Sequence, residues 1–411
     1  MRVIAFILLI LLNNALRAQV KSIRGVVINE ETKQPLSKAS VYINNTSLGT
    51  VSDESGRFAL VTNPGNYELV ISSIGFETKK MIVKLGTDDL SINISLRDKS
   101  VELDTVIVTP FEPDGWSRWG DLFKENFIGN SRNAKKCRIR NPEVLGFRVI
   151  DNRQKLKVVA REPLQIENYA LGYMIQFDLD EFTLDFRTKS VSFHGFSFFK
   201  EILAKDLKQS GLWIVKRNKS YAGSLNHFLY SLYENKLNQE GFGIYLEQRL
   251  FNEEKRRVYK VMEDSLGLRL FVDPRDGEIY VFGNPKRKDS IVYFNSVIRQ
   301  PDYIEKVDTI KLNPNQLILE ISGNKRQMYF ENSLRIIYTK EEEEDGYARQ
   351  KGQRRKLPYQ TSSMKLIKAV EITITDQGLF YDGDSIELFG YWGWEGMAEL
   401  LPNNYRHERK N

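Results

Sequence analysis

Phe58-Ala59-Leu60-Val61-Thr62-Asn63-Pro64-Gly65-Asn66-Tyr67-Glu68-Leu69-Val70-Ile71 is the stretch whose reading decides the fold. Two short runs of strand-forming residues flank a four-residue break. In that break Pro64 presets φ and Gly65 tolerates positive φ, which together make a tight turn. Residues 67–71 then alternate between inward and outward positions, the period of a half-buried strand. The same pattern repeats on either side. Residues 22–28 read as a strand ended by Asn29-Glu30-Glu31-Thr32, Pro35-Leu36 reopens the chain, and residues 39–43 form the next strand. Gly49, Asp53 and Gly56 punctuate the following turns, and residues 82–85 and 92–96 complete about seven short strands. Seven strands suffice for two packed sheets.

The series Gly25-Val26-Val27, Pro35-Leu36, Ala39-Ser40-Val41, Gly49-Thr50-Val51-Ser52-Asp53, Gly56-Arg57-Phe58 and Ser73-Ile74-Gly75-Phe76 resembles the carboxypeptidase regulatory-like domain over about 75 residues. The resemblance implies a transthyretin-like seven-stranded β-sandwich, common at the front of Bacteroidetes envelope proteins, including TonB-dependent receptors. It also implies an accessory module without catalytic residues. A peptidase reading has no support here. Zinc carboxypeptidases need a His-x-x-Glu pair plus a distant His, whereas His194, His227 and His407 are followed three residues on by Ser197, Tyr230 and Lys410. Residues 101–110, Val101-Glu102-Leu103-Asp104-Thr105-Val106-Ile107-Val108-Thr109-Pro110, are similar to the TonB-box segment that follows such domains in the receptors. Trp116-Ser117-Arg118-Trp119-Gly120 does not continue the receptors' plug pattern. The segment is therefore read first as a linker or closing strand and second as a TonB contact.

Ahead of the sandwich, Arg2 precedes an unbroken apolar run over residues 3–12, and Ala15-Leu16-Arg17-Ala18 follows a short polar stretch. This is the layout of a secretory signal peptide, with cleavage expected between Ala18 and Gln19. Ten apolar residues are too few to cross a hydrocarbon core of ~30 Å, and no later stretch approaches the ~18 needed, so no transmembrane helix is expected in the mature chain. No cysteine follows the apolar run to accept a lipid. The single cysteine among 411 residues, Cys137, excludes a disulfide framework, and with only three histidines it excludes Cys/His metal clusters. Lys135, Lys136 and Arg138 flank Cys137 and would favour a reactive thiolate, but no neighbouring histidine offers a base, so a small residue at a strand start is the preferred reading.

The net charge of +6 is mild for this length. The densest basic run, residues 349–356, directly follows Glu341-Glu342-Glu343-Glu344-Asp345 and reads as a solvated loop that pairs with itself. Nucleic acid is thus excluded as a partner.

Residues 115–411 read as a larger antiparallel β-rich (α+β) domain. Asp114 is placed to cap a helix carrying Trp116, Trp119, Phe123 and Phe127 on one face and stopping before Gly129. Strands are predicted over residues 155–160, 173–179, 182–186, 191–193, 316–322, 327–330, 334–339, 369–375 and 385–389, with a hairpin pairing 268–272 and 278–282. One long amphipathic helix is expected where Tyr221, Leu225, Phe228, Leu229, Leu232, Tyr233 and Leu237 share a face ahead of Gly241, and a short last helix over 394–401 stops at Pro402. A membrane barrel fits poorly, because several strands carry charge on both faces. The expected organisation is a signal peptide at 1–18, the sandwich at 19–98, a linker at 99–114 and the β-rich domain at 115–411, in a mainly β protein.

Motifs for chemistry are sparse. There is no nucleophile elbow, phosphate loop, dinucleotide fingerprint or His-Glu-x-x-His, so no cofactor, metal or catalytic residue is assigned. Asp382-Gly383-Asp384 and Asp273/Asp276 read as turns before calcium ligands. Asp178/Asp180 share a strand face, which suits either a wet face or a glycosidase cleft. Phe193, Phe196, Phe198, Phe199 and Trp213 read as core before a sugar platform, and His227 as a locally bonded helix residue before a general base. Asp-Ser/Thr followed by an aliphatic residue recurs at Thr105, Ser265, Ser290, Thr309 and Ser385, against roughly one or two such triplets expected from composition. The pattern resembles the O-glycosylation site of exported Bacteroidetes proteins, and it equally suits strand starts and turns. The expectation is a non-catalytic exported protein of the periplasm or outer membrane that binds or scaffolds, its partner an envelope protein or a glycan. A carboxylate-based hydrolase in the second domain and an accessory of TonB-linked transport are the alternatives.

Overall fold

A computed structural model describes residues 20–99, 110–151, 153–186, 190–266, 269–272, 279–282, 288–322, 325–366, 371–375, 380 and 386–405. The chain divides into two compact units, the first ending at Leu103 but also holding Phe196–Phe199.

The first unit is a sandwich of seven strands. One sheet has the order β4-β1-β7 and the other β3-β2-β5-β6. The strands are β1 (Lys21–Asn29), β2 (Ser40–Ile43), β3 (Gly49–Val51), β4 (Arg57–Thr62), β5 (Gly65–Ser72), β6 (Lys79–Leu85) and β7 (Leu90–Leu96). Only β1 and β7 run parallel. Alternation does the sorting: Phe58, Leu60 and Thr62 of β4 point inward while Arg57, Ala59 and Val61 face solvent. The break at Pro64 does not close a hairpin. It carries the chain from one sheet to the other, and Tyr67 secures it by donating its hydroxyl proton to the Asn63 carbonyl at 2.6 Å. Ile23, Val27, Val41, Leu69 and Ile71 fill the core between the sheets.

Phe196–Phe199 complete this unit from far along the chain. Asn45 and Phe199 donate backbone N–H groups to Ser197 and Thr46 carbonyls at 2.8 and 3.0 Å, and the Phe198 ring stacks on Tyr42 at 5.2 Å. Phe196 and Phe198 are buried with Tyr42 and Val70. The core reading of these rings is therefore correct, although the unit they serve lies outside their sequence neighbourhood.

In the second unit, β8 (Cys137–Ile139), β9 (Leu145–Ile150), β10 (Lys155–Ala160), β11 (Leu164–Asn168) and β12 (Tyr173–Asp185) form a sheet of order β8-β11-β12-β10-β9, with β13 (Val191–Glu201) on β12. The helix Gly115–Phe127 covers it, with Trp119 on Phe186, Phe123 on Phe147 and Phe182, and Phe127 on Phe177. A second sheet joins Phe242–Phe251, Tyr303–Val307, Ser333–Tyr338, Gln360–Leu366 and Ile386–Gly390, and a smaller one joins Ile318–Ser322, Lys325–Met328 and Ile372–Thr375. The hairpin of Arg269–Val272 with Ile279–Phe282 forms as expected.

The helical content differs from expectation. The single helix expected over 221–237 is two pieces, Leu225–Tyr233 and Leu237–Glu240, and Tyr221 instead ends a separate helix, Leu207–Tyr221. Gly223 at φ +76° breaks the chain, and Ser224 restarts it by accepting from the His227 N–H at 3.2 Å. The predicted face survives, because Phe228, Leu229, Leu232 and Leu237 are buried. Helices at Glu253–Leu266 and Lys288–Ile298 were not anticipated. Both belong to a small satellite core of Val258, Met262, Val297 and Ile298, too few apolar positions to stand out in a charged sequence.

Truncation of Phe198 to Ala is expected to destabilise the first unit by about 2–4 kcal/mol, although residue 198 lies some hundred positions outside its sequence. Chemical denaturation followed by near-ultraviolet circular dichroism checks this. An unchanged first transition would show that the sandwich does not depend on the distant segment.

Candidate functional site

The most unusual chemistry of the second unit gathers where its C-terminal segment crosses residues 128–133. Tyr391–Glu395 is a short helix, followed by a 3-10 turn over Gly396–Glu399. Backbone packs on backbone here. Ala398 donates to the Ile128 carbonyl at 2.9 Å and Asn130 to the Trp394 carbonyl at 3.2 Å. Gly129 and Gly396 have φ of +98° and +58°, and a Cβ on either would lie 2.3 Å from the Glu395 oxygen or 2.7 Å from the Ile128 oxygen. Both positions therefore exclude any side chain.

The crossing brings four glutamates from two distant stretches together. Glu399 accepts from Ser131 Oγ at 2.5 Å, from Asn133 Nδ2 at 2.9 Å and from Ser220 Oγ. Glu344 accepts the Arg132 backbone N–H at 3.1 Å, and the Glu344 N–H donates to the Tyr391 hydroxyl. Glu341 accepts from Gln360 Nε2 at 3.3 Å. Glu395 follows Trp394 and keeps part of its surface exposed.

Burial and mutual repulsion set the charge states. Burial pushes the Glu341 carboxyl up to about 7, against the pull of Lys219. Burial raises Glu344 as well, partly offset by the Arg132 N–H. Burial, then the charges of Glu399, Glu341 and Glu344, hold Glu395 well above the carboxylate range. Glu395 is thus strongly desolvated. Burial and the neighbouring carboxylates also push up the Tyr391 hydroxyl, and burial with Lys136 lowers Lys216, which donates to Asn133 Oδ1 at 3.4 Å. A carboxyl that keeps its proton near neutrality can donate a hydrogen bond or serve as a general acid. Glu399 is less free, since three protein donors already occupy its two oxygens. Among the described residues no group of three or more His, Cys, Asp or Glu is arranged to hold a metal ion.

The residues singled out in the sequence are mostly elsewhere. Residues 341–345 do pair with the basic run, Glu342 with Lys356 at 2.5 Å and Glu343 with Lys351 at 3.6 Å. As a wholly solvated loop, however, that reading is overturned, because Glu343 is buried and Glu341 and Glu344 are desolvated. Asp178 and Asp180 share neither a wet face nor a cleft: Asp178 is buried, while exposed Asp180 meets His194 Nδ1 at 3.0 Å. His227 is a structural residue. Its Nδ1 accepts the Gly223 N–H at 3.1 Å and its Nε2 lies 3.5 Å from Glu240. Cys137 begins β8, and burial with the Glu399 charge pushes its thiol up to about 12, the opposite of an activated nucleophile. Phe193 is exposed, while Trp213 is buried. Thr309 sits on an exposed bend, and Ser265 and Ser290 fall within the helices Glu253–Leu266 and Lys288–Ile298. Thr105, Ser385, the Ala18/Gln19 junction, residues 101–109, Asp273, Asp276, Asp382, Asp384 and His407 lie outside the described residues. The glutamate cluster escaped the sequence, because Glu399 and its partner Ser131 are separated by 268 positions.

Comparison with known proteins places the front of the chain. Residues 23–108 match the CarboxypepD_reg-like domain. The chain is similar to the TonB-dependent receptor P39 of Formosa agariphila, 33% identical over 109 residues, which cover 26% of this chain and 10% of the receptor. It is similar to the TonB-dependent receptor SusC of Bacteroides thetaiotaomicron, 31% identical over 91 residues, 22% of this chain and 8% of that one. The chain thus spans about a tenth of the length of these curated relatives. A putative carbohydrate binding protein from Bacteroides uniformis aligns over 46% of this chain and 81% of that chain at 11% identity, with a TM-score of 0.17, too low to indicate a shared fold. No helix among the described residues is long and apolar enough to cross a membrane.

Two measurements test the site's construction. Glu341 has a raised value in the folded state, so it binds its proton more tightly there than in the unfolded chain. Its contribution is present below about 4.5 and is lost as pH rises toward about 7. After discounting for its exposure the loss is on the order of 1–2 kcal/mol. Glu341→Gln keeps an acceptor for Gln360 and is expected to flatten this fall in melts run across that window; parallel curves would show that burial of Glu341 carries no penalty. Gly129→Ala and Gly396→Ala are each expected to destabilise the second unit by roughly 3 kcal/mol or more, since neither backbone can retreat.

Proposed function

We propose that the protein is an exported, non-catalytic component of the envelope, its sandwich an accessory module and its second unit the part that binds or scaffolds. The observation that carries this reading is the match of residues 23–108 to a domain that is not itself catalytic and that fronts TonB-dependent receptors. The organisation that goes with it is a cleaved leader over residues 1–18, a sandwich over 19–98, a linker over 99–114 and a β-rich domain over 115–411. The cluster of Glu341, Glu344 and Glu395 then offers hydroxyl donors and acceptors side by side, chemistry that suits a polyhydroxylated envelope glycan or a polar loop of an envelope protein. Thr105, Ser265, Ser290, Thr309 and Ser385 are the candidate glycosylation positions, of which Thr309 has the exposed bend that modification needs.

One observation favours a second reading, a carboxylate-based hydrolase. A desolvated acid next to another carboxyl group is the equipment of glycoside hydrolysis. The two readings separate in one experiment, in which the purified chain is incubated with fractionated envelope glycans and both bound and released sugars are weighed by mass spectrometry. Retention of intact glycan, lowered about tenfold or more in Glu395→Gln, is the expected result. Release of shorter products, abolished in Glu395→Gln without a change in melting temperature, would replace the binding reading with the hydrolase. Intact mass of protein recovered from the envelope is expected to start at Gln19, with any excess reporting glycan; a mass beginning at Met1 would refute export by a cleaved leader.

A further inference from the structure

The helix Leu207–Tyr221 is amphipathic in the wrong direction for its fold. Its inward face carries Trp213, Arg217 and Ser220, all buried. Its outward face carries Leu207, Leu212 and Val215, which are 91%, 56% and 62% exposed, and Leu203 just ahead of it is 92% exposed. At 100° per residue the outward positions 207, 211, 215, 208, 219 and 212 fall within an arc of about 140°.

The inward face has a complete account. Arg217 donates to the Leu171 carbonyl at 2.7 Å, to the Gly172 carbonyl at 3.2 Å and to Glu201 at 3.0 Å, with its guanidinium 4.0 Å above the Tyr173 ring. Trp213 Nε1 donates to the Tyr169 carbonyl at 3.0 Å. The orientation of the helix is therefore fixed by polar contacts to residues 169–173. Nothing within the fold calls for leucines on the other side, where polar residues would be equally stable and more soluble. Gly211 sits mid-helix on that side, and a Cβ there would meet nothing within 4 Å. It weakens the helix by about 1 kcal/mol relative to alanine with no internal packing reason.

We propose that this outward face docks on a lipid surface rich in anionic headgroups. Charge selects the occupant. Lys205 and Lys208 are exposed beside the apolar stripe. The outward arc contains no Asp or Glu, and Asp206 is committed to capping the helix by accepting from the Gln209 N–H at 2.8 Å. Leucines that protrude almost completely from the surface suit insertion at the boundary of headgroups and acyl chains, with the lysines on the phosphates and Gly211 letting the helix backbone lie close. Such a surface holds the protein beside a membrane without spanning it, and the inference does not rest on the glutamate cluster.

Vesicle co-sedimentation tests it, using phosphatidylethanolamine vesicles with and without phosphatidylglycerol. Chains with and without residues 1–18 are compared so that the leader's apolar run is not counted as binding. The expected result is phosphatidylglycerol-dependent binding that falls about tenfold in the Leu207→Ser, Leu212→Ser, Val215→Ser triple variant. It should also fall several-fold in Lys205→Gln, Lys208→Gln, with both variants keeping the parent melting temperature, as suits exposed positions. Absence of binding by the parent chain, or equal binding by the parent and the triple variant, would overturn the proposal. A parent chain that self-associates in sedimentation equilibrium while the triple variant stays monomeric, with no vesicle binding by either, would assign the face to a second copy and overturn it equally.

Discussion

The second unit depends on one close approach, the crossing of residues 128–130 by residues 394–398. Two glycines in left-handed conformations let carbonyl oxygens of one segment rest where side chains of the other would stand. Two backbone hydrogen bonds then fix the register. Everything beside the crossing inherits its position from that contact. Asn168, fully buried, donates to the Ala398 carbonyl at 2.8 Å and so holds the end of β11 to the C-terminal turn. Glu399, one residue further, collects Ser131, Asn133 and Ser220 and so places the helix Leu207–Tyr221. A chain that lost its last fifteen residues would lose contacts to three other elements at once, which makes the unit cooperative from end to end.

The orientation of the helix Leu207–Tyr221 is a consequence. Once Ser220 is bound to Glu399 and Arg217 to the carbonyls of Leu171 and Gly172, rotation about the helix axis is no longer free. Turning the helix over would leave the Leu171, Gly172 and Tyr169 carbonyls without the donors of Arg217 and Trp213, and each buried acceptor left unpaired costs about 1–3 kcal/mol. The polar contacts therefore win, and the leucines face outward.

This competition also explains what could and could not be read from sequence. The sandwich was legible almost strand for strand, since alternation, Pro64 and the turn glycines are local signals with local causes. The helix Gly115–Phe127 was legible for the same reason, its aromatic face at steps of three and four. The helix Leu207–Tyr221 was not, because hydrophobic periodicity presumes that apolar residues point inward, and here tertiary hydrogen bonds reverse the rule. Phe196–Phe199 were legible as core residues but not as residues of the sandwich, since nothing in an aromatic run states which partner it will meet. The break at Gly223 was hidden inside a continuous apolar face. The glutamates were seen as a charge run, and the run does pair with residues 349–356; which of its members turn inward is decided by Tyr391, Arg132 and Gln360, none of them near in sequence.

The clustered glutamates are more than fasteners for the crossing. Glu399 already supplies the fastening, with three donors on its oxygens. Glu341 makes a single contact to Gln360 that a glutamine would make as well, without a titrating group. Glu395 stands desolvated among like charges and weakens the folded state at neutral pH. Structural economy would replace both with amides. Carboxyl groups held above their ordinary range are more characteristic of sites that handle a ligand than of sites that merely join segments. Two parts of the second unit thus run against stability, the desolvated glutamates and the outward leucines. They lie at the inner and outer faces of the same helix, whose Ser220 meets Glu399 on one side while Leu207, Leu212 and Val215 stand free on the other.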